Sequence, residues 1–190
     1  DIAKTNSILD WGCGCGRLTK HLSEYSDAAI CGVDIDSYNV DWCLKNLPRA
    51  TFSLVDPWKP LPFEDASFDF IIGHSVFTHL SEAAQFFWLD ELCRVLKPGG
   101  ALLVTVMSSL SLLNDRLSER EMNNLLQAGY LDVGHQPDGV DEVEPGYYRK
   151  VYHRPEYIHH NWSSQFDILD ILDGYADHQA LVVCKKVPIV

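Results

Sequence analysis

The stretch Ile8-Leu9-Asp10-Trp11-Gly12-Cys13-Gly14-Cys15-Gly16-Arg17-Leu18 gathers residue types suited to holding a small ligand. Glycines at three alternate positions let the backbone pass close to a ligand, because no Cβ stands in the way. The N–H groups that open the helix predicted after Gly16 lack intrahelical partners and carry partial positive charge. Asp10, near the end of the predicted first strand, sets a negative charge beside the same cavity. Together these groups suit a ligand that bears both a cation and an anion, as an amino-acid group does. The spacing is not that of a dinucleotide-binding turn, which needs a third glycine where Arg17 (counted from Gly12) or Thr19 (counted from Gly14) stands.

The pattern that is present, Asp-x-Gly-x-Gly-x-Gly over Asp10 to Gly16, resembles the first motif of the class I S-adenosylmethionine-dependent methyltransferases. Leu61-Pro62-Phe63-Glu64-Asp65-Ala66-Ser67-Phe68-Asp69 and Glu91-Leu92-Cys93-Arg94-Val95-Leu96-Lys97-Pro98-Gly99-Gly100 are similar to later motifs of that family, so the match runs from Ile8 to about Met107. The resemblance implies that Asp10, Gly12, Gly14 and Gly16 hold S-adenosylmethionine, with Asp56 and Pro57, after the third strand, at the adenine amino group. Asp34 ends the second strand, where an acid can accept both ribose hydroxyls, and Ile35 is placed to pack on an adenine face. A strand-end acid serves a nicotinamide nucleoside equally well, so a nicotinamide-dependent reductase is one alternative. A non-catalytic S-adenosylmethionine-binding regulatory module is another. If the donor is S-adenosylmethionine, the reaction is an in-line displacement whose leaving group is a neutral thioether, and alignment supplies most of the catalysis.

An acceptor hydroxyl also needs a base. His74 leaves the fourth strand at the face where open α/β sheets bind ligands, and is a candidate base or a contact to the methionine part of the donor. His153 is the second candidate base, whereas His79, further into the next turn, reads as a packed histidine. Thr78, Tyr147, Tyr148, Arg149 and His153 are the candidate substrate residues, since Tyr147 to Tyr157 is dense in aromatic and basic groups within an acidic chain. The Asn/Asp-Pro-Pro-Tyr/Phe motif typical of enzymes that methylate planar amino groups is absent after the fourth strand. No acid cluster suited to a divalent metal is evident, and the run Asp138, Asp141, Glu142 and Glu144 reads as a solvated loop.

The elements that must position these groups alternate. Strands are predicted at Ser7–Trp11, 28–33, 51–55, Phe68–Gly73 and 101–107, and helices at Arg17–Tyr25, 40–47 and 82–96. Ser81 is the cap of the last of these, and Lys97-Pro98-Gly99-Gly100 its stop signal. This alternation predicts a doubly wound, mostly parallel α/β sheet. The resemblance adds a seven-stranded Rossmann-like order 3-2-1-4-5-7-6 with the last strand antiparallel. Residues 108–163 break the rhythm and are expected to form an insertion or lid, with a helix over Glu119–Ala128, before closing strands at 166–172 and 180–185.

The length of 190 residues and 46% hydrophobic content suit one domain. The family usually carries one or two helices ahead of the first strand, so N-terminal helices, or a longer parent protein, are expected. No apolar run reaches the length of a membrane span. A formal net charge of −12 with scattered basic residues weighs against nucleic acid and points to a small-molecule substrate, such as a sugar or other hydroxylated metabolite methylated on oxygen. Six cysteines without a Cys-x-x-Cys pair read as reduced thiols in a cytoplasmic protein, with Cys31, Cys93 and Cys184 in the core.

Overall fold

The computed structural model describes residues 5–107, 109–135, 147–176 and 178–187. The acidic run from Asp138 to Glu144 lies outside the described residues. In chain order the elements are β1 Ser7–Trp11, α1 Arg17–Tyr25, β2 Ala29–Asp34, α2 Ser37–Asn46, β3 Thr51–Leu54 and β4 Phe68–Gly73. A 3-10 turn at Phe77–His79, α3 Glu82–Val95, β5 Leu96–Met107, α4 Ser109–Asn114 and α5 Glu119–Ala128 follow. The chain then forms β6 Tyr130–His135, β7 Arg149–His153, α6 Pro155–Trp162, β8 Phe166–Ala176 and β9 Gln179–Lys186.

Local chemistry sets several of these boundaries. The Ser118 hydroxyl and Glu121 form a reciprocal cap at the start of α5, and Gly129, left-handed at φ 75, ends it. That helix has the bounds expected from sequence. Helix α2 begins three residues before the expected Val40, because the Asp36 carboxylate accepts from the N–H groups of Tyr38 and Asn39 at 2.8 and 3.3 Å. Tyr25, at the end of α1, is exposed, and Thr19 is the buried residue of that helix.

Strands β3-β2-β1-β4-β5 pair in parallel in that order, β9 pairs antiparallel along β5, and β8 pairs antiparallel with β9. Counting the closing strands β8 and β9 as sixth and seventh, this is the expected 3-2-1-4-5-7-6 order with an antiparallel last strand. The insertion adds two strands of its own. β7 meets β5 at one register position, Met107 opposite Tyr152, and β6 pairs antiparallel with β7. The connections from β1 and β4 run to opposite sides, so a crevice opens at their carboxyl ends.

Two devices fix α3 against the sheet and the loop before β4. Trp11 packs against Phe77 and Trp88 with ring centroids 5.2 and 5.3 Å apart, in the same buried cluster as Ile71, Leu92 and Val104. Burial of each such aromatic ring is worth about 2–3 kcal/mol. On the outer side, the Glu91 carboxylate accepts from Leu61 N at 2.5 Å and from both Arg94 Nε and Nη2. Arg94 also donates to the carbonyls of Phe63 and Leu61 and pairs with Asp65, which pins 61–65 onto α3. Glu91 and Arg94 of the later motif therefore serve the scaffold.

Candidate functional site

The glycine turn is closed on itself by Gly16 N donating to Cys13 O at 2.9 Å, and it is also tied to β2. Gly12 N and Cys13 N both donate to Val33 O, at 2.9 and 3.0 Å, and Gly14 N donates to Asp34 Oδ2 at 2.7 Å. All three glycines are left-handed, with φ of 70, 52 and 71° at Gly12, Gly14 and Gly16, a region costly for any residue with a Cβ. A Cβ on Gly12 would lie 2.4 Å from Val76 Cγ2, and one on Gly16 2.4 Å from Leu47 Cδ1, whereas one on Gly14 would meet nothing within 4 Å. Gly14 thus leaves open space where its side chain would project.

Two cavities border this turn. One, of about 550 Å³, is lined by Gly12, Asp34, Ile35, His74, His79, Tyr147 and Tyr148, with Trp11, Trp88, Val33 and Val55 behind them. The other, of about 920 Å³, is lined by Asp10, Gly12, Cys13, Gly14, Cys15, Arg17, His74 and Ser75. Gly12, His74 and Ser75 border both, so the two form adjoining halves of one cleft. Ser75, beside His74, is left-handed at φ 59. Its N–H donates to Thr105 Oγ1 at 2.7 Å, and its hydroxyl meets the Gln179 side chain, so β5 and β9 hold the strained turn in place.

The acids differ sharply. Asp10 is almost sealed, accepts from Thr19 Oγ1 at 2.5 Å, and is pushed up to about 6 chiefly by burial. Asp34 is also raised, again chiefly by burial, although its two oxygens accept from Gly14 N and Asp36 N. Each oxygen of Asp34 retains acceptor capacity, and the residue borders the first cavity. Asp56 does not reach either cavity. It accepts from Trp58 N at 2.9 Å and pairs with Lys59 at 2.8 Å, which holds it below its ordinary value. Pro57 lines neither cavity, and Val55 is the β3-side residue in the cleft. The adenine role carried by Asp56 and Pro57 in the resemblance is therefore not supported by their placement.

The histidines and the insertion need corrections of the same kind. His153 is 2% exposed and packed among Tyr130, Tyr157 and Trp162, with Nε2 2.8 Å from Gln85 Oε1. Burial alone pulls it down to about 3, so it is a neutral core group and neither a base nor a substrate contact. Thr78 is fully buried and lines neither cavity. Arg149 lines neither cavity, and its guanidinium is paired with Asp132 across the β6–β7 hairpin. Tyr147 and Tyr148 do border the cleft. The Tyr147 hydroxyl accepts from Trp88 Nε1 at 3.1 Å, and both phenols are pushed up to about 12, chiefly by burial. His74 is exposed at the junction of the two halves, and burial of its ring and the nearby Arg17 hold it below its ordinary value.

Trp11 and Trp88 enter the cleft without having been singled out for it, and His79, which read as a packed histidine, borders it as well. Trp11 adjoins Asp10 at the carboxyl end of β1, and that adjacency was the available signal. Of the cysteines, Cys184 is buried, Cys31 and Cys93 are only half-buried, and Cys13 and Cys43 are buried in a smaller core with Val40 and Phe52. The Cys13 and Cys43 thiols both donate to Gly14 O, and burial pushes Cys43 up to about 11 and Cys13 further.

The residues present fit a donor with an amino-acid end and a nucleoside end. The turn beside Asp10 leaves Gly14 open, and Asp34 offers acceptors in an apolar half-cleft that holds Ile35. Comparison with known proteins agrees with this chemistry. Residues 9–104 match the family model described as a methyltransferase domain. A sterol 24-C-methyltransferase of Schizosaccharomyces pombe is 28% identical over 104 residues, which is 52% of this chain and 27% of that protein. A malonyl-[acyl-carrier protein] O-methyltransferase of Hahella chejuensis is 29% identical over 107 residues, 55% of this chain and 38% of that protein. The match thus spans well under half the length of these curated relatives. An S-adenosylmethionine-dependent methyltransferase structure from Methanosarcina mazei superposes with a TM-score of 0.69 at 20% identity, covering 97% of this chain and 93% of that one. The nicotinamide alternative finds no support among these matches, and the chain belongs to the methyltransferase domain family, the class I fold that takes its methyl group from S-adenosylmethionine.

Proposed function

We infer that the protein methylates a hydroxyl of an uncharged small molecule held against an aromatic wall. The observation that carries this reading is the pairing of the insertion's charges. Arg149 is bound to Asp132 and Lys150 to Asp115, so the surface turned to the cleft is formed by Tyr147, Tyr148, His79 and Trp88. Such a wall favours stacking on an uncharged acceptor over capture of an anion. The relatives' names include a sterol methylated on carbon and a malonyl-acyl-carrier conjugate methylated on oxygen, and the second is in keeping with an oxygen acceptor.

S-adenosylmethionine, when bound, supplies a methyl carbon on a sulfonium. Asp10, Gly12, Gly14 and Gly16 would take its amino-acid end, and Asp34 and Ile35 its nucleoside, with His74 between the two cavities at the junction. Trp11 and Val76 line the first cavity, where they would keep water from the reacting carbon. The test is a screen of metabolite extracts with methyl-labelled S-adenosylmethionine. Label in a small, neutral, hydroxylated product supports the reading. Label only in RNA or protein overturns it, and donor binding with no labelled product at all points to the non-catalytic binding module.

Asp10 gives this donor site a pH signature. Its free-state value near 6 means that a proton must leave before the carboxylate can face an ammonium group. Affinity for S-adenosylhomocysteine is therefore full above pH 6 and falls as pH drops through it, by up to about tenfold per unit. Calorimetry between pH 5 and 8 checks this, and Asp10→Asn should flatten the dependence at a lower affinity. A parent profile as flat as that of Asp10→Asn would show that Asp10 does not meet the donor.

A further inference from the structure

We propose that His79 is the general base of this site, with its tautomer set by the insertion: Nδ1–H is held by the main-chain carbonyl of Arg149, which leaves the Nε2 lone pair toward the cleft. The proposal rests on the methyl-transfer reading above and deepens it by naming the group that takes the acceptor's proton.

Three observations carry it. His79 Nδ1 lies 3.2 Å from Arg149 O. A carbonyl can only accept, so Nδ1 must donate, and in a neutral ring Nε2 is then the unprotonated nitrogen. Nε2 has no hydrogen-bond partner among the described residues and is not among the sealed, unpartnered polar atoms, while the ring borders the cleft beside Tyr148, 5.8 Å between centroids. The other two histidines considered lack this arrangement. His153 is walled into the core with Nε2 on Gln85, and no hydrogen bond among the described residues fixes the tautomer of His74.

The anchoring carbonyl is itself placed by long-range structure. Arg149 begins β7, pairs with His135 of β6 in the hairpin, and ties its side chain to Asp132. The groups facing His79 are Lys150 and Arg149 from β7, paired with Asp115 and Asp132 respectively, the phenols of Tyr147 and Tyr148, His74 from the end of β4, and Asp34 across the cavity. Burial first, and Lys150 in the same direction, hold the ring below its ordinary value of 6.5 despite the Arg149 contact, so the neutral form needed for a base prevails at neutral pH. In the step, the acceptor oxygen bonds to the methyl carbon and its proton passes to Nε2. The electron pair of the broken carbon–sulfur bond stays on sulfur as a thioether. The sulfonium charge is thereby replaced by an imidazolium that Arg149 O continues to hold.

The first test needs no turnover. Nitrogen-15 spectra of the histidine rings, in the chain saturated with S-adenosylhomocysteine and assigned with His79→Gln, should show His79 protonated at Nδ1 alone at pH 7.5. Protonation at Nε2 overturns the proposal whether or not any acceptor is found. The second test is His79→Asn, whose amide can still donate to Arg149 O but cannot accept a proton. With methyl-labelled S-adenosylmethionine and the metabolite extract, kcat should fall about 100-fold or more. Affinity for S-adenosylhomocysteine should stay within twofold of the parent. With S-adenosylmethionine saturating at every pH, so that the Asp10 titration does not enter, the parent's kcat should fall at some pH below 6.5, and that limb should vanish in the variant. Unchanged kcat in the variant overturns the proposal. A parent that labels nothing while showing the Nδ1–H ring counts against the methyl-transfer reading, not against the tautomer.

Discussion

Gly14→Leu abolishes binding of S-adenosylhomocysteine while the chain still folds: this is the largest expected effect. The three glycines of the turn look equivalent in sequence, but their surroundings are not. A Cβ at Gly12 or Gly16 would strike Val76 or Leu47, so substitution there damages packing. At Gly14 nothing of the protein stands within 4 Å, and the added side chain would project into the cavity that the turn borders. The fold pays only for a left-handed residue at φ 52, about 1–2 kcal/mol. Calorimetry for binding and thermal unfolding for stability separate the two effects. Binding at parental strength would mean that the donor does not lie against Gly14.

The second large effect is expected at Asp34. Its oxygens accept from Gly14 N and Asp36 N, and their remaining capacity faces the first cavity. Asp34→Ala removes acceptors for two ribose hydroxyls and releases the glycine turn. A loss of about 3 kcal/mol, or about a hundredfold in S-adenosylhomocysteine affinity, is expected. Asp34→Asn should do nearly as badly, because its amide must turn an NH2 toward either the Gly14 or the Asp36 N–H. Affinity within threefold of the parent for both variants would remove Asp34 from the site.

Much of the fold could be read from short-range chemistry. The bounds of α5 follow from Ser118, Glu121 and Gly129, and those of β1 and β4 from apolar runs closed by glycine. These signals act over a few residues, where sequence and conformation are tightly coupled. The donor half of the cleft was legible for the same reason, since Asp10 and the three glycines are contiguous. The acceptor half was not. Which way His79, Thr78 and His153 face depends on β7 docking against the 3-10 turn, a contact between segments some 70 residues apart. Arg149 read as a free cation because its partner Asp132 lies on a neighbouring strand, displaced by a register shift that no local pattern announces. Asp56 read as a ligand because a strand-end acid and a turn-capping acid look alike until its bonds to Trp58 N and Lys59 are seen and the cavity lining is seen to stop at Val55.

The β6–β7 hairpin hangs from the main sheet at the single pairing of Met107 with Tyr152, while β9 takes the rest of the β5 edge. Exchanging the hairpin would alter Tyr147, Tyr148 and the carbonyl that orients His79 together, and would leave the glycine turn and its ties to β2 untouched. Acceptor choice and proton handling would then diversify as one inherited unit, while the donor end stays constant across the lineage.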